Sequence, residues 1–347
     1  MCAAPFRHLL IYEFLALALL SQMIQVSDGC TPFFIIKHNM IKRTLFICTA
    51  ITCLVMATQA STFRVNNVDP SAPYASIADA IEVASEGDTI MVEGSSTSYG
   101  DVTINKRVVL IGPGYWLREN GIETETGYSA MVKTLTTTEE GTVIMGMYSN
   151  RQIIVGAPGT IIQRCAIVSA DYRSIEMLKG ADNCVITQCF LSGGLGSNYE
   201  SETTYRHFIS NNIIEVMQLW FLNDSYVGYN TIYSSWKNYS CGIGNKIERN
   251  LLNMMEYPMS FNDQSYNLNL VDNLLLGNFF NTTINTDKDI RDYVYPQAAN
   301  GRGAFAGDTP YVISGIPASP IIETLTVPNS AEAGGEMTIK VKLGTAK

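Results

Sequence analysis

The chain is poor in charge. Only 16% of its 347 residues are Asp, Glu, Lys or Arg, and the acids outnumber the bases to leave a formal charge of −9. Without a basic excess there is nothing to hold a polyanion, so nucleic acid is excluded as a partner. Histidine is nearly missing. His8 and His38 fall in the first 60 residues, and only His207 comes after them. A Ser–His–Asp arrangement would have to run through that residue, whose setting, Tyr205-Arg206-His207-Phe208, reads as structural. No CxxC pair and no His/Cys spacing points to zinc, so no metal site is expected. Past residue 60 the cysteines are few: Cys165, Cys184, Cys189 and Cys241. Nowhere does a helical period persist for a dozen residues, which argues against a helical solenoid.

What the chain does contain is a repeated six-residue phrase. An aliphatic residue is followed by two variable residues, an Asn or Cys, one variable residue and a second aliphatic residue. It stands at Ile162–Ile167, Ile186–Leu191, Ile209–Ile214, Val227–Ile232, Ile247–Leu252 and Leu270–Leu275. The fourth position is Cys165, Cys189, Asn212, Asn230, Asn250 and Asn273, at intervals of 24, 23, 18, 20 and 23 residues. A period in this range describes a solenoid whose turns bury their apolar sides against one another. The flanking residues are β-branched or leucine, and the fixed leucine framework of leucine-rich repeats is absent, so the turns are strands. Asn in such a column tolerates a left-handed bend and bonds to the turns above and below, and Cys is a small buriable substitute. Cys165 and Cys189 then lie on adjacent turns, either bridged or as stacked free thiols.

The column resembles the interior asparagine ladder of right-handed, pectin-lyase-like β-helices. A second resemblance lies upstream. Ile77, Ala80-Ile81, Ala84, Gly87-Asp88-Thr89-Ile90, Val92, Gly94, Tyr99, Ile104, Val108, Leu110 and Gly112 are similar to the opening of secreted pectin-lyase-fold proteins, pectin methylesterases among them. There Glu93 and Tyr99 matter to the fold more than to the chemistry. The tail, with Gly-Ala-Phe-Ala-Gly-Asp, Tyr-Val-Ile-Ser-Gly-Ile-Pro and a final strand pair, looks like the end of secreted β-helix proteins of Gram-negative bacteria. The fold class expected is therefore all-β, a right-handed parallel β-helix with an N-terminal capping helix.

The chain reads as four segments. Residues 40–60 read as a signal peptide: Met40-Ile41-Lys42-Arg43, the apolar run Thr44–Ala57, and a small-residue cleavage site before Ser61. Residues 1–39 hold another apolar run, Leu9–Leu20, and read as an extension upstream of a true start at Met40. Residues 61–300 are the coil with its cap. Strands are expected at 62–65, 89–93, 102–105 and 108–112, and a helix over roughly 76–85 with Ser76 as N-cap. Residues 113–141 read as a loop excursion, with Tyr115, Trp116 and Arg118 as weak ligand contacts or as packing. Residues 301–347 are a flexible glycine-rich stretch, an extended linker and two alternating strands.

The series by which hydrolases of this resemblance cut polygalacturonate, NTD…DD…GHG…RIK, is missing, as are the methylesterase motifs QDT and DFIFG. Calcium is not supported: Asp224 and Asp263, separated by one intervening turn, would stand about 9.6 Å apart, too far to share one ion well. Two acids across a cleft suffice for a glycosidase, and the weak candidates are Glu200 and Glu202 with Asp171 and Arg173. Aromatics are the stronger signal. Trp220, Phe221, Tyr226, Tyr229, Tyr233, Trp236 and Tyr239 fall within twenty residues, and rings on a flat coil can stack on sugar. Of these Trp220, Tyr229, Tyr233, Trp236 and Tyr239 are the ligand-binding candidates. The reading is an exported, monomeric β-helix that binds polysaccharide or cell-surface glycan without catalysis. The alternative is a polysaccharide lyase or glycoside hydrolase acting on acidic polysaccharide.

Overall fold

The structure, a computed structural model, describes residues 60–122, 127–169, 173–215, 219–234, 242–254, 274–276, 279–280, 301–317, 320–326 and 340–345. Contacts divide the chain at Gln59, and the coil lies in the unit from Ala60 onward.

That unit is a parallel β-solenoid with three faces. Face A is a ten-stranded parallel sheet running from Thr62–Val65 to Leu274–Leu276. Most of its strands have three residues, and the middle one points inward. Ile90, Leu110, Ile144, Ile162, Ile186, Ile209, Val227 and Ile247 form that inward file, each at most 1% exposed. Burial of side chains of this size contributes about 1.5–3 kcal/mol apiece, so the file is the spine of the core. A second sheet supplies the other two faces. Face B holds Ala166–Ile167, Phe190–Leu191, Ile213–Ile214, Thr231–Ser234, Leu251–Met254 and Phe279–Phe280. Face C holds Arg173–Met177, Gly194–Gly196 and Leu219–Trp220. The long strand Tyr148–Val155 belongs to both, pairing with Ala166–Ile167 at one end and Ile175–Met177 at the other.

Sharp corners separate the strands, and at each the sequence does two jobs in two consecutive residues. The first takes the left-handed conformation: Arg164, Gln188, Asn211, Tyr229 and Arg249 have φ between 53° and 57°. The second is the ladder residue. This corrects the expectation that the ladder Asn itself makes the bend. The bend falls one residue earlier, which leaves the Asn side chain free to point inward along the axis. Asn212 Oδ1 accepts the Cys189 N–H at 2.9 Å, Asn230 Oδ1 the Asn212 N–H at 2.9 Å, and Asn250 Oδ1 the Asn230 N–H at 2.8 Å. Each amide also donates to a backbone carbonyl of the preceding turn, such as Asn250 Nδ2 to Val227 O at 2.9 Å. Cys165 and Cys189 are free, buried thiols, and the Cys165 N–H points at the Cys189 sulfur, 3.5 Å away.

The last expected phrase is shifted. Strand pairing sets Ile247 opposite Leu275 and Leu252 opposite Phe280, so the sixth turn uses Leu275–Phe280 rather than Leu270–Leu275. Two overlapping matches five residues apart compete there, and only pairing chooses between them. Asn273 itself lies outside the described residues.

A second ladder runs at the corner that enters face A. Asn245 Oδ1 accepts the Ser225 N–H at 2.8 Å, Ser225 Oγ the His207 N–H at 2.9 Å, and His207 Nδ1 the Cys184 N–H at 3.3 Å. Here too the preceding residue is left-handed: Asn183, Arg206, Asp224 and Gly244.

The helix forms over Ile77–Val83, with Ser76 Oγ accepting from Ala78 and Asp79 N–H and with Ile77, Ala80 and Ile81 buried. Strands occupy Thr62–Val65, Thr89–Val92, Val102–Ile104 and Val109–Ile111. The excursion after residue 112 is shorter than expected, because Met131–Thr137 is a strand that pairs along the length of Tyr148–Val155 and, like it, belongs to faces B and C. Its run of threonines hides the alternation: Val132, Leu135 and Thr137 are fully buried.

The stretch after residue 300 is held, not flexible. Residues 303–317 run back across five turns along the left-handed corner. Asn211 Nδ2 donates to Ala304 O and Ala306 O at 3.0 and 2.7 Å, Gln188 Nε2 to Pro310 O at 2.6 Å, and Arg164 Nη1 to Ile316 O at 2.6 Å. Beneath this strap lies a second core of Tyr115, Ala166, Phe190, Ile213, Leu251, Ala304 and Tyr311. Beyond it Pro320–Thr326 and Lys340–Thr345 pair as an antiparallel hairpin.

Candidate functional site

Of the residues expected to line an acidic groove, the structure describes the side chains of Arg173 and Glu202. Arg173 sits at the start of its face C strand and donates through Nη1 to Asn198 Oδ1, while Asn198 Nδ2 donates to Glu176 Oε1. Arg173 and Glu176 are 3.8 Å apart along one strand, and burial lowers the guanidinium's pKa against the pull of Glu176. Glu202 closes the short turn Glu200–Glu202, its N–H donating to Tyr199 O at 2.9 Å and its carbonyl accepting from Ser197 Oγ at 2.6 Å. Glu200 is in the same turn, and Asp171 lies outside the described residues. Among the described residues the acid beside Arg173 is Glu176, which the sequence did not single out. The group is an ion pair stapled by an amide.

The described members of the aromatic cluster lie on different strands and corners, for a simple reason. About twenty residues make one turn of the coil, so neighbours in sequence leave on different faces. Trp220 is on face C, paired with Gly196. Tyr233 is on face B, paired with Asn253. Tyr229 makes a left-handed corner, and its hydroxyl accepts from Arg249 Nη1 at 2.8 Å with the guanidinium 5.6 Å from the ring centre. Trp236 and Tyr239 lie outside the described residues. Tyr115 and Trp116 are packing residues: Trp116 meets Tyr115 and Phe190 edge to face at 5.1 and 4.8 Å. Arg118 lies 4.4 Å over the Tyr128 ring.

Rings that align are one whole turn apart. Phe208 and Tyr226 are partners in register on face A and point outward. Their rings stack at 4.9 Å with an interplanar angle of 11°, and Phe208 stays 44% exposed. Beyond Tyr226 in the same file is Lys246, its ammonium 5.5 Å from the Tyr226 ring and 2.8 Å from Glu248. Burial, then a hydrogen bond to Glu248, raises the Tyr226 hydroxyl's pKa, and Lys246 foremost lowers that of Glu248. Gly228 makes room for this arrangement, since a Cβ there would collide with the Tyr226 hydroxyl.

On the other side of Phe208 the file continues through Val185, Ile161, Val143 and Val109, all half-buried and facing out. Val185 is shorter than Phe208, so no aromatic neighbour covers the ring face turned that way. A parallel file holds Ile111, Met145, Gln163 and Thr187. Between Val109 and Gly228 the outward files of face A therefore form an uncharged strip, which at one end meets an aromatic stack and an ion pair. The sequence signal for it was the residue immediately before each repeated phrase: Ile161, Val185, Phe208, Tyr226, Lys246.

Among the described residues no three His, Cys, Asp or Glu side chains gather as a metal site would require. Asp224 is a left-handed corner residue with φ 50°, and Asp263 lies outside the described residues. Among the described residues no helix is long and apolar enough to cross a membrane. His207 is buried in its ladder, and burial first of all pushes its pKa down to about 4. No protein-family model, curated protein or solved structure matches the chain.

Proposed function

We propose that the chain is an exported, monomeric β-helix of the pectin-lyase kind that binds glycan through the outer side of face A without transforming it. The observation that carries this reading is the exposed Phe208–Tyr226 stack, set in a file of outward apolar side chains on a parallel sheet. Apolar ring edges and faces with polar groups at the rim match the chemistry of a sugar ring, one side of which is lined by C–H bonds. Export rests on the charged start at Met40, the apolar run Thr44–Ala57 and the small-residue site before Ser61. The helix Ile77–Val83, packed against the first strands, serves as the plug of the N-terminal end, where a bare sheet edge would invite association.

A second reading, a lyase or glycoside hydrolase acting on acidic polysaccharide, is favoured by the Arg173–Glu176–Asn198 group on face C. One experiment separates the two. The protein is incubated with a panel of neutral and acidic polysaccharides, and both retention and products are measured. Retention without turnover supports binding. Unsaturated products or new reducing ends that disappear in Glu176→Gln would replace it with catalysis.

A further inference from the structure

We infer that the glycan taken by face A is an uncharged, flat polysaccharide with equatorial linkages, lying along the coil axis. This rests on the glycan-binding reading and adds the class of ligand. Val109, Val143, Ile161, Val185, Phe208 and Tyr226 are successive partners in register. Parallel strands repeat at about 4.8 Å, so these six residues form a straight file about 24 Å long. A ligand that contacts every member must itself be straight and offer an apolar surface at a similar repeat. An extended chain of equatorially linked sugars meets both conditions: its linkages keep it ribbon-like, and its axial C–H bonds face away from the ribbon plane. A coiled or bent chain would leave the file after one or two rings.

Charge decides the rest. From Val109 to Gly228 the two outward files of face A hold Val, Ile, Met, Gln, Thr, Phe, Ser, Tyr and Gly, and none of these residues carries a charge. At one end the first charges are Lys246 and Glu248, an ion pair at 2.8 Å; at the other the second file passes through Met91 to Arg64, which is paired with Glu93 and Asp69. A polyuronate needs cations spaced along its path; within these two files it would meet none, and the bordering Arg107 and Arg206 are each held by an acid, Glu86 and Asp182, on a chain of net charge −9. A neutral polymer loses nothing on that strip. Its ring hydroxyls, which project sideways in an equatorial ribbon, come level with Gln163, Thr187 and the Tyr226–Glu248 pair at the strip's margin.

The test uses the full exported chain. Sedimentation with insoluble cellulose and chitin, and affinity electrophoresis in soluble neutral β-glucan, are set against the same gels cast with polygalacturonate and alginate. The expected result is retention by at least one neutral polymer, little changed between low and high salt, and none by the polyuronates. Phe208→Ala and Val185→Glu, both on outward positions, should weaken retention about tenfold or more, with Lys133→Ala unchanged and all three folded by circular dichroism. Retention only by polyuronates, abolished by salt, overturns the ligand class but leaves glycan binding standing. Retention by none of the polymers overturns both. A concentration-dependent dimer lost in Phe208→Ala overturns the proposal in favour of a second copy of this chain on face A.

Discussion

His207 is an imidazole inside the coil, and its surroundings fix its protonation. Its Nδ1 accepts the Cys184 N–H at 3.3 Å, so the neutral ring keeps its proton on Nε2. Protonating Nδ1 would set two donors against each other inside the core. Burial dominates the pKa, holding it near 4 despite the attraction of Asp182, with Arg206 pushing the same way as burial. In the unfolded chain the value is about 6.5. The group's contribution is therefore fully present above about pH 6.5 and is lost as pH falls from there toward about 4, because the unfolded chain binds the proton first. The loss is on the order of 3 kcal/mol. Urea unfolding at about pH 7 and about pH 4.5 should show that difference in the wild type. A much smaller one is expected in His207→Ser, which places in the column the residue its neighbour Ser225 already uses. An equal acid sensitivity in the variant would assign the effect to other groups.

At the scale of elements, the corner and the strap explain each other. The corner residues Arg164, Gln188 and Asn211 are variable in the repeat, yet each spends its side chain on a carbonyl of residues 304–316. Loop 113–122 joins them through Tyr115, whose hydroxyl is 2.5 Å from that of Tyr311, both buried. Removing one hydroxyl leaves the other without its partner, at a cost of about 1–3 kcal/mol, whereas removing both leaves nothing unsatisfied. Tyr115→Phe and Tyr311→Phe should each lower stability by about that amount, and the double variant should recover part of it. A double-mutant cycle by urea denaturation measures the coupling. Strict additivity would mean that the hydroxyls act independently.

For the whole coil, the strap ties distant turns together. Stability in a solenoid is otherwise a sum of nearest-neighbour terms, but residues 303–317 reach from Arg249 back to Gly146. Gly146 shows how close the approach is: with φ 64°, a Cβ there would stand 2.6 Å from Pro317 Cγ. A chain ending at residue 300 should unfold at lower temperature and less cooperatively than the full chain. It should also bind more of a hydrophobic dye, since Phe190, Ile213 and Tyr115 lose their cover. Calorimetry and dye fluorescence on the two chains test this, and an unchanged transition would reduce the strap to decoration.

The repeated phrase, by itself, determined the parallel coil and the inner ladder. An aliphatic residue at one position and an Asn or Cys three residues later recur in each of these turns, so their spacing is written into the chain. The helix behind Ser76 and the two strands of the C-terminal hairpin were legible for a similar reason, since each depends on local pattern. Which of Leu270–Leu275 and Leu275–Phe280 forms the sixth turn was left to pairing, because both positions offer aliphatic or aromatic ends to the phrase. Pairing also decided which aromatics meet: Phe208 and Tyr226 are 18 residues apart in sequence and 4.9 Å apart in space, while Trp220 and Tyr233 go to other faces. The strap was hidden for a related cause. Its partners are side chains at positions where the repeat imposes only a left-handed bend, and what a side chain does there depends on a segment about a hundred residues away.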